Sequence, residues 1–258
     1  MSPVHLQALA REGFHSLWRT RGGLYLVLGG VLLSIIALAA PLPFRETGRF
    51  SLSAFALVDQ LLVALLLASH ILSTRPPAPP AWWPVEPLTA LTVRGFGMVG
   101  GLAVAMGALV LLQIILAWGF GDLHAAVPLQ EEPVNLAGSY LDLWIGLLLY
   151  GSILVAWSQT LRTFLGGALA LLALLALVFT AFLLPRLAQE HAAIQPLVAM
   201  IPDLSNFAPV ETLSGEGASG RHVMYLFAHL GAVWALGATA LTIRHGRGAN
   251  VEFGGQGP

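Results

Sequence analysis

Three ionisable side chains, Asp59, His70 and His229, stand inside long apolar stretches of a 258-residue chain, and Asp142 stands at the edge of another. A charge in hydrocarbon is costly, so such residues mark ion pairs, proton relays or cofactor ligands. At 1.5 Å per helical residue, Asp59 falls about 8 Å and His229 about 10 Å from the outer ends of their stretches, a depth at which they would pair if their helices are neighbours. The plainer alternative has Asp59 reaching the outer interface and His229 donating to a nearby carbonyl. Two histidines also raise bis-imidazole haem ligation. His70 lies about 24 Å from the outer end, roughly 14 Å deeper than His229, which sets the pair too far apart to share one iron.

Other catalytic patterns are missing. No G-x-x-x-x-G-K-[ST], H-E-x-x-H or G-x-S-x-G occurs, and a chain without lysine has no P-loop. The remaining histidines lack ligand spacing, so no metal site is expected. With no cysteine, disulfides and thiolate chemistry are excluded. The sequence reads as non-catalytic.

Composition decides what positions these residues. The chain is 57% hydrophobic and 10% charged, with mean hydropathy +0.78, against roughly 25% charged residues in a soluble domain. This is the composition of an integral membrane protein. A net charge of -1 with no basic cluster gives nothing to attract nucleic acid.

Six stretches are long enough to cross a hydrocarbon core of about 30 Å: 22–41, 54–73, 96–119, 141–161, 164–184 and 222–243. All must be helical, because lipid offers backbone groups no partner. The first has no cleavage pattern after it and is expected to remain as a span. Arginine sets the orientation: Arg11, Arg19, Arg21, Arg75, Arg94, Arg162, Arg244 and Arg247 share one side, and Arg45, Arg49, Arg186 and Arg221 the other. The richer side is expected to be cytoplasmic, with both termini there and acidic loops outside.

The connections differ in kind. "TLRTF" between spans 4 and 5 forces an antiparallel hairpin. In the long outer loop before span 6, Leu187–Met200 is expected to form a short helix, Asp203 or Ser205 to start another turn, and "SGEGASG" to be flexible. In the inner loop "STRPPAPPAWWPVEPLTALTVRG", prolines hold the first half extended, Trp82 and Trp83 sit at headgroup level, and Leu88–Arg94 form one or two helical turns beside the membrane. Residues 244–258 are expected to be disordered. Gly97 and Gly101, at i and i+4 in span 3, allow close helix approach, within the chain or between subunits. Ahead of span 1, Leu6, Leu9, Gly13, Phe14 and Leu17 share one helical face and Arg11, Glu12, His15 and Arg19 lie off it, the pattern of a helix in the membrane interface.

This order of features resembles the membrane permeases of type 2 ATP-binding-cassette transporters, a family that includes the permease serving nitrous oxide reductase maturation. The resemblance covers nearly the whole chain and rests on "LAREGFHSLWRTRGG" before span 1, "PVEPLTALTVRGFG" leading into span 3, the span 4–5 hairpin, and "VAMIPDLSNFAPVETLSGEG" before span 6. It implies an all-α membrane protein: an amphipathic elbow helix at 1–21, six transmembrane helices within 22–243, and short re-entrant outer helices between spans 5 and 6, around Pro202, Asp203, Asn206 and Glu211. It also implies a bacterial cytoplasmic (inner) membrane location, a second copy or a related permease as partner, and a separate cytoplasmic nucleotide-binding ATPase that carries the ATP and Mg. Arg11, Glu12, Arg19, Arg21, Arg75, Glu86 and Arg94 would contact that ATPase, and no cofactor is implied in this chain. The sparse polar content of the spans suggests a lipidic or amphipathic cargo, or force transmitted to an outer-face partner. Where the family carries a charged S-x-E-R-E-x-G-T-like segment after span 2, this chain has "SHILSTRPPAPPAWW", which favours the alternative of a structural subunit or membrane anchor.

Overall fold

The computed structural model describes residues 3–17, 28–35, 52–73, 86–124, 136–190, 193, 196 and 220–253. They form seven helices: α1 Pro3–Ser16, α2 28–35, α3 Leu52–Ser73, α4 Pro87–His124, α5 Leu136–Phe164, α6 Gly167–Glu190 and α7 Gly220–Phe253. Pro3 and Pro87 each occupy a first helical position, where a missing N–H costs nothing. The Glu86 carbonyl accepts the Ala90 N–H at 2.9 Å and so opens α4.

Five of the six expected spans fall on α3 to α7, and only 28–35 of the first is described. Among the described residues, Pro87–Leu116, Leu143–Phe164 and Leu226–Ile243 are long and apolar enough to cross a membrane, while Val58–Leu72 and Gly167–Phe179 are shorter apolar helices. Leu111, Ile115, Leu172, Phe179 and Leu236 are all exposed. Outward-facing leucines over a packed interior suit a lipid surround, where burying side chains inside the protein brings no hydrophobic gain.

α5 is the centre of the bundle and packs against α3, α4, α6 and α7. Of its spanning residues 67% are buried, against 39% for those of α4 and α7. One core joins Leu62, Leu67, Leu102, Leu109, Leu147 and Leu154; a second joins Leu91 of α4 and Ile153 of α5 to Leu226, Leu230 and Trp234 of α7. Leu165 and Gly166 alone separate α5 from α6, as the expected hairpin requires; the Leu165 N–H bonds to Leu161 and the Ala170 N–H to Gly166, each at 2.8 Å.

Three elements depart from expectation. The turns at Leu88–Arg94 are continuous with span 3, giving a 38-residue α4 about 57 Å long, which must project beyond a core of about 30 Å. No proline interrupts it after Pro87, so its backbone bonds run on. α7 likewise continues to Phe253, so residues 244–253, expected to be disordered, are helical; an established helix gains one bond per added residue. Leu187–Glu190 belong to α6, and Asp203, Ser205 and the re-entrant segment lie outside the described residues.

The amphipathic α1 does not keep its apolar face for lipid. Leu9, Gly13 and Leu17 are buried, and α1 packs along α4. A Cβ on Gly97 would run into the Ala10 carbonyl and one on Gly13 into the Arg94 carbonyl, while one on Gly101 would lie 2.8 Å from the Phe14 carbonyl. The Gly97 and Gly101 spacing therefore serves packing within the chain. Gly97→Ala is expected to destabilise the protein by about 1–3 kcal/mol and to release α1 to protease. Gly100→Ala, whose Cβ would meet only Phe14 at 3.8 Å, should leave thermal unfolding in detergent unchanged or slightly higher.

Candidate functional site

Two polar clusters interrupt the apolar bundle. The first joins α2, α3 and α4. Asp59 is 0% exposed, as are Gln113 and Ser34. The Gln113 amide Nε2 donates to Asp59 Oδ1 at 2.8 Å and to Ser34 Oγ at 3.1 Å. Among the described residues, Asp59 Oδ2 and Gln113 Oε1 have no partner. One donor on a fully buried carboxylate leaves most of its hydrogen-bonding capacity unused, an arrangement that soluble cores seldom tolerate.

The second cluster lies where α1 meets α4, beside the end of α3 and the last turn of α5. Glu12 Oε1 stands 3.4 Å from Arg94 Nη2. Ser16 Oγ donates to the Gly13 carbonyl at 2.6 Å, closing the last turn of α1. His70 of α3 meets the Ser16 backbone and lies within electrostatic reach of Arg94 and Arg162. Arg94 is half-buried and Arg162 buried. Along α4, Arg94 and Gln113 are separated by roughly 28 Å, so the two clusters sit toward opposite ends of the bundle.

Between them, α5 and α7 are pinned by side-chain bonds. Thr160 Oγ1 donates to the Val233 carbonyl at 2.9 Å, and Trp234 Nε1 to Gln159 Oε1 at 3.0 Å. Gln159 Nε2 in turn points at Met98 Sδ of α4, 3.3 Å away. Trp157 Nε1 donates to His229 Nε2 at 2.9 Å, so that nitrogen's lone pair is already engaged.

Asp59 and His229 are therefore not brought together. Asp59 bonds to Gln113 and does not reach the interface; His229 accepts from an indole and does not donate through that nitrogen to a carbonyl. Equal depth places two residues in one layer of the bilayer but not on facing sides of their helices. Of the residues expected at an ATPase surface, Arg11, Glu12 and Glu86 are exposed and Arg94 is half-buried beside Glu12. Arg19, Arg21 and Arg75 lie outside the described residues, as do Pro202, Asp203, Asn206 and Glu211; the Asp142 side chain is likewise not described.

The sequence reading missed Ser34, Gln113, Gln159 and Thr160, because it weighed only ionisable residues in the spans. Uncharged polar side chains in an apolar run were the available signal, since helices in lipid use them as interhelical bonds. No protein-family model, no curated protein and no solved structure matches the chain. What the fold defines is an all-helical chain with helices suited to cross a membrane.

Gln113→Leu is expected to cost about 1–3 kcal/mol by leaving the buried Asp59 with no donor. The double variant Asp59→Leu with Gln113→Leu should be more stable than Gln113→Leu alone, because no unpaired group remains. Thermal unfolding of these two variants, of Asp59→Leu alone and of the unaltered chain in one detergent measures the coupling.

Proposed function

We propose that this chain is the membrane permease subunit of an ATP-binding-cassette transporter: six spans in a bacterial cytoplasmic membrane, both termini inside, working with a second permease copy or a related one. A separate ATPase subunit binds ATP and Mg and drives it, and the cargo is lipidic or amphipathic, or the output is force on an outer-face partner. The observation that best supports this reading is the seating of α1 on the first turns of α4, fastened by Gly13, Gly97 and the Glu12–Arg94 pair. The two segments that the family resemblance assigns to ATPase contact form one unit with Arg11, Glu12 and Glu86 exposed on it. A push on that unit would move α4, which reaches Gln113 and Asp59.

No step of chemistry on a substrate is assigned to this chain. Its part is mechanical: the α1–α4 unit receives the displacement, α5 couples it to α3, α6 and α7, and the polar bonds of α5 to α7 set which helices move together. The second reading, a structural subunit or anchor, draws on the proline-rich segment that replaces the family's charged stretch after span 2.

The test is a gentle-detergent purification of the tagged chain from its native membrane, with mass spectrometry and an ATPase assay. A stoichiometric nucleotide-binding subunit is expected, and it should be lost from the Arg11→Glu, Arg19→Glu double variant. Its retention would overturn the elbow assignment. Recovery of membrane or outer-face proteins alone from the unaltered chain would favour the anchor.

A further inference from the structure

α6 starts immediately after the turn that ends α5, and the N–H groups of its first turn have no acceptor within the helix. Arg162, in the last turn of α5, lies over that start. A Cβ on Gly167 would sit 2.8 Å from Arg162 Nη1 and 3.6 Å from the Ile71 carbonyl oxygen. Arg162 is only 8% exposed, and among the described residues its Nε is buried without a partner. Among the described residues it forms no ion pair; Glu12 is engaged with Arg94.

The arrangement is one of donors facing donors. A guanidinium carries five N–H groups and no acceptor, and the start of a helix adds further N–H groups and partial positive charge. The Ile71 carbonyl offsets a little of this. His70 lies within electrostatic reach of both Arg94 and Arg162, and the Glu12 carboxylate of that cluster is already paired with Arg94. What would satisfy both sides at once is an anion with several oxygens, bound by the guanidinium in a bidentate way and by the backbone N–H groups. The flank is apolar: Phe164, Leu169 and Leu172 are each 59–62% exposed, around the turn and the first turns of α6. A Cβ on Gly166 would meet open space. A phosphate with acyl chains attached fits that combination, and a free anion would leave the leucines unused.

We infer that the α5–α6 turn binds the phosphate of an anionic membrane phospholipid, held by the Arg162 guanidinium and the first-turn N–H groups of α6. This goes beyond the permease reading and does not depend on an ATPase. The turn closes one end of the α5–α6 hairpin, the kind of position at which basic sites between helices take lipid headgroups.

The full chain in neutral detergent is heated with phosphatidylglycerol, with phosphatidylcholine of the same acyl chains, and with inorganic phosphate. Phosphatidylglycerol at a hundredfold excess over its Kd is expected to raise Tm by roughly 5 °C or more, with one lipid retained in native mass spectrometry, and the other two additives to do much less. Arg162→Gln should abolish the lipid-induced rise. If that variant does not fold, Gly167→Ala decides: it keeps the charge but sets a methyl against Nη1, and should cut the rise at least by half. An equal rise with inorganic phosphate would overturn the lipid assignment in favour of a free-anion site. An equal rise with phosphatidylcholine, no rise in the unaltered chain, or a full rise in Gly167→Ala would overturn the site itself.

Discussion

The close passage of α1 over α4 is the constraint on which this end of the bundle depends. Backbone meets backbone at Gly13 and Gly97, a separation that no other residue permits, and every neighbour is placed by it. Leu17 reaches the main core because α1 lies this deep. Ser16 is set beside His70, and Glu12 beside Arg94. In a lipid surround, where apolar burial brings no driving force, such contact area and a few interhelical bonds are what hold helices together.

Polar groups are distributed accordingly. α5 touches most other helices and uses Thr160 and Gln159 as fasteners, Thr160 donating to the Val233 carbonyl and Gln159 accepting from Trp234 while its amide points at Met98; Ser158 and Thr163 donate back to carbonyls of α5 itself. Asp59 and Gln113 differ in kind, because their oxygens exceed the donors available. Fasteners are satisfied groups; Asp59 and Gln113 are held in a state that a change in helix packing would alter.

How much of this could be read in the sequence follows from what each signal encodes. Apolar length marks the helices because hydropathy integrates over many residues, and the short polar break at "TLRTF" marks the hairpin, although those five residues are the end of α5 and the link itself is Leu165 and Gly166. The spacing of Gly97 and Gly101 announced a close approach, yet spacing describes one helix and is silent on which partner comes near. The same limit undid the pairing of Asp59 with His229: depth fixes position along the membrane normal, and rotation about each helix axis is set by packing with Gln113 and Trp157. Charge marks boundaries on average and so sets Arg94 at the end of the inner loop; in the structure Gly95 continues the helix, and the exposed Glu12 carboxylate lies beside the half-buried guanidinium.

The N-terminal half of α4 carries Gly95, Gly97, Gly100 and Gly101, and each glycine weakens an isolated helix by about 1 kcal/mol relative to alanine. That half is therefore a poor helix by itself and acquires its order from what lies against it, α1 above all. Seventy residues separate the end of α1 from the start of α4 in the chain, so during synthesis α1 emerges well before α4 exists. Its amphipathic face suits it to wait at the membrane surface in the meantime. The longest of the described helices is thus completed by one made well before it, and this end of the bundle cannot finish assembling until α4 has entered the bilayer.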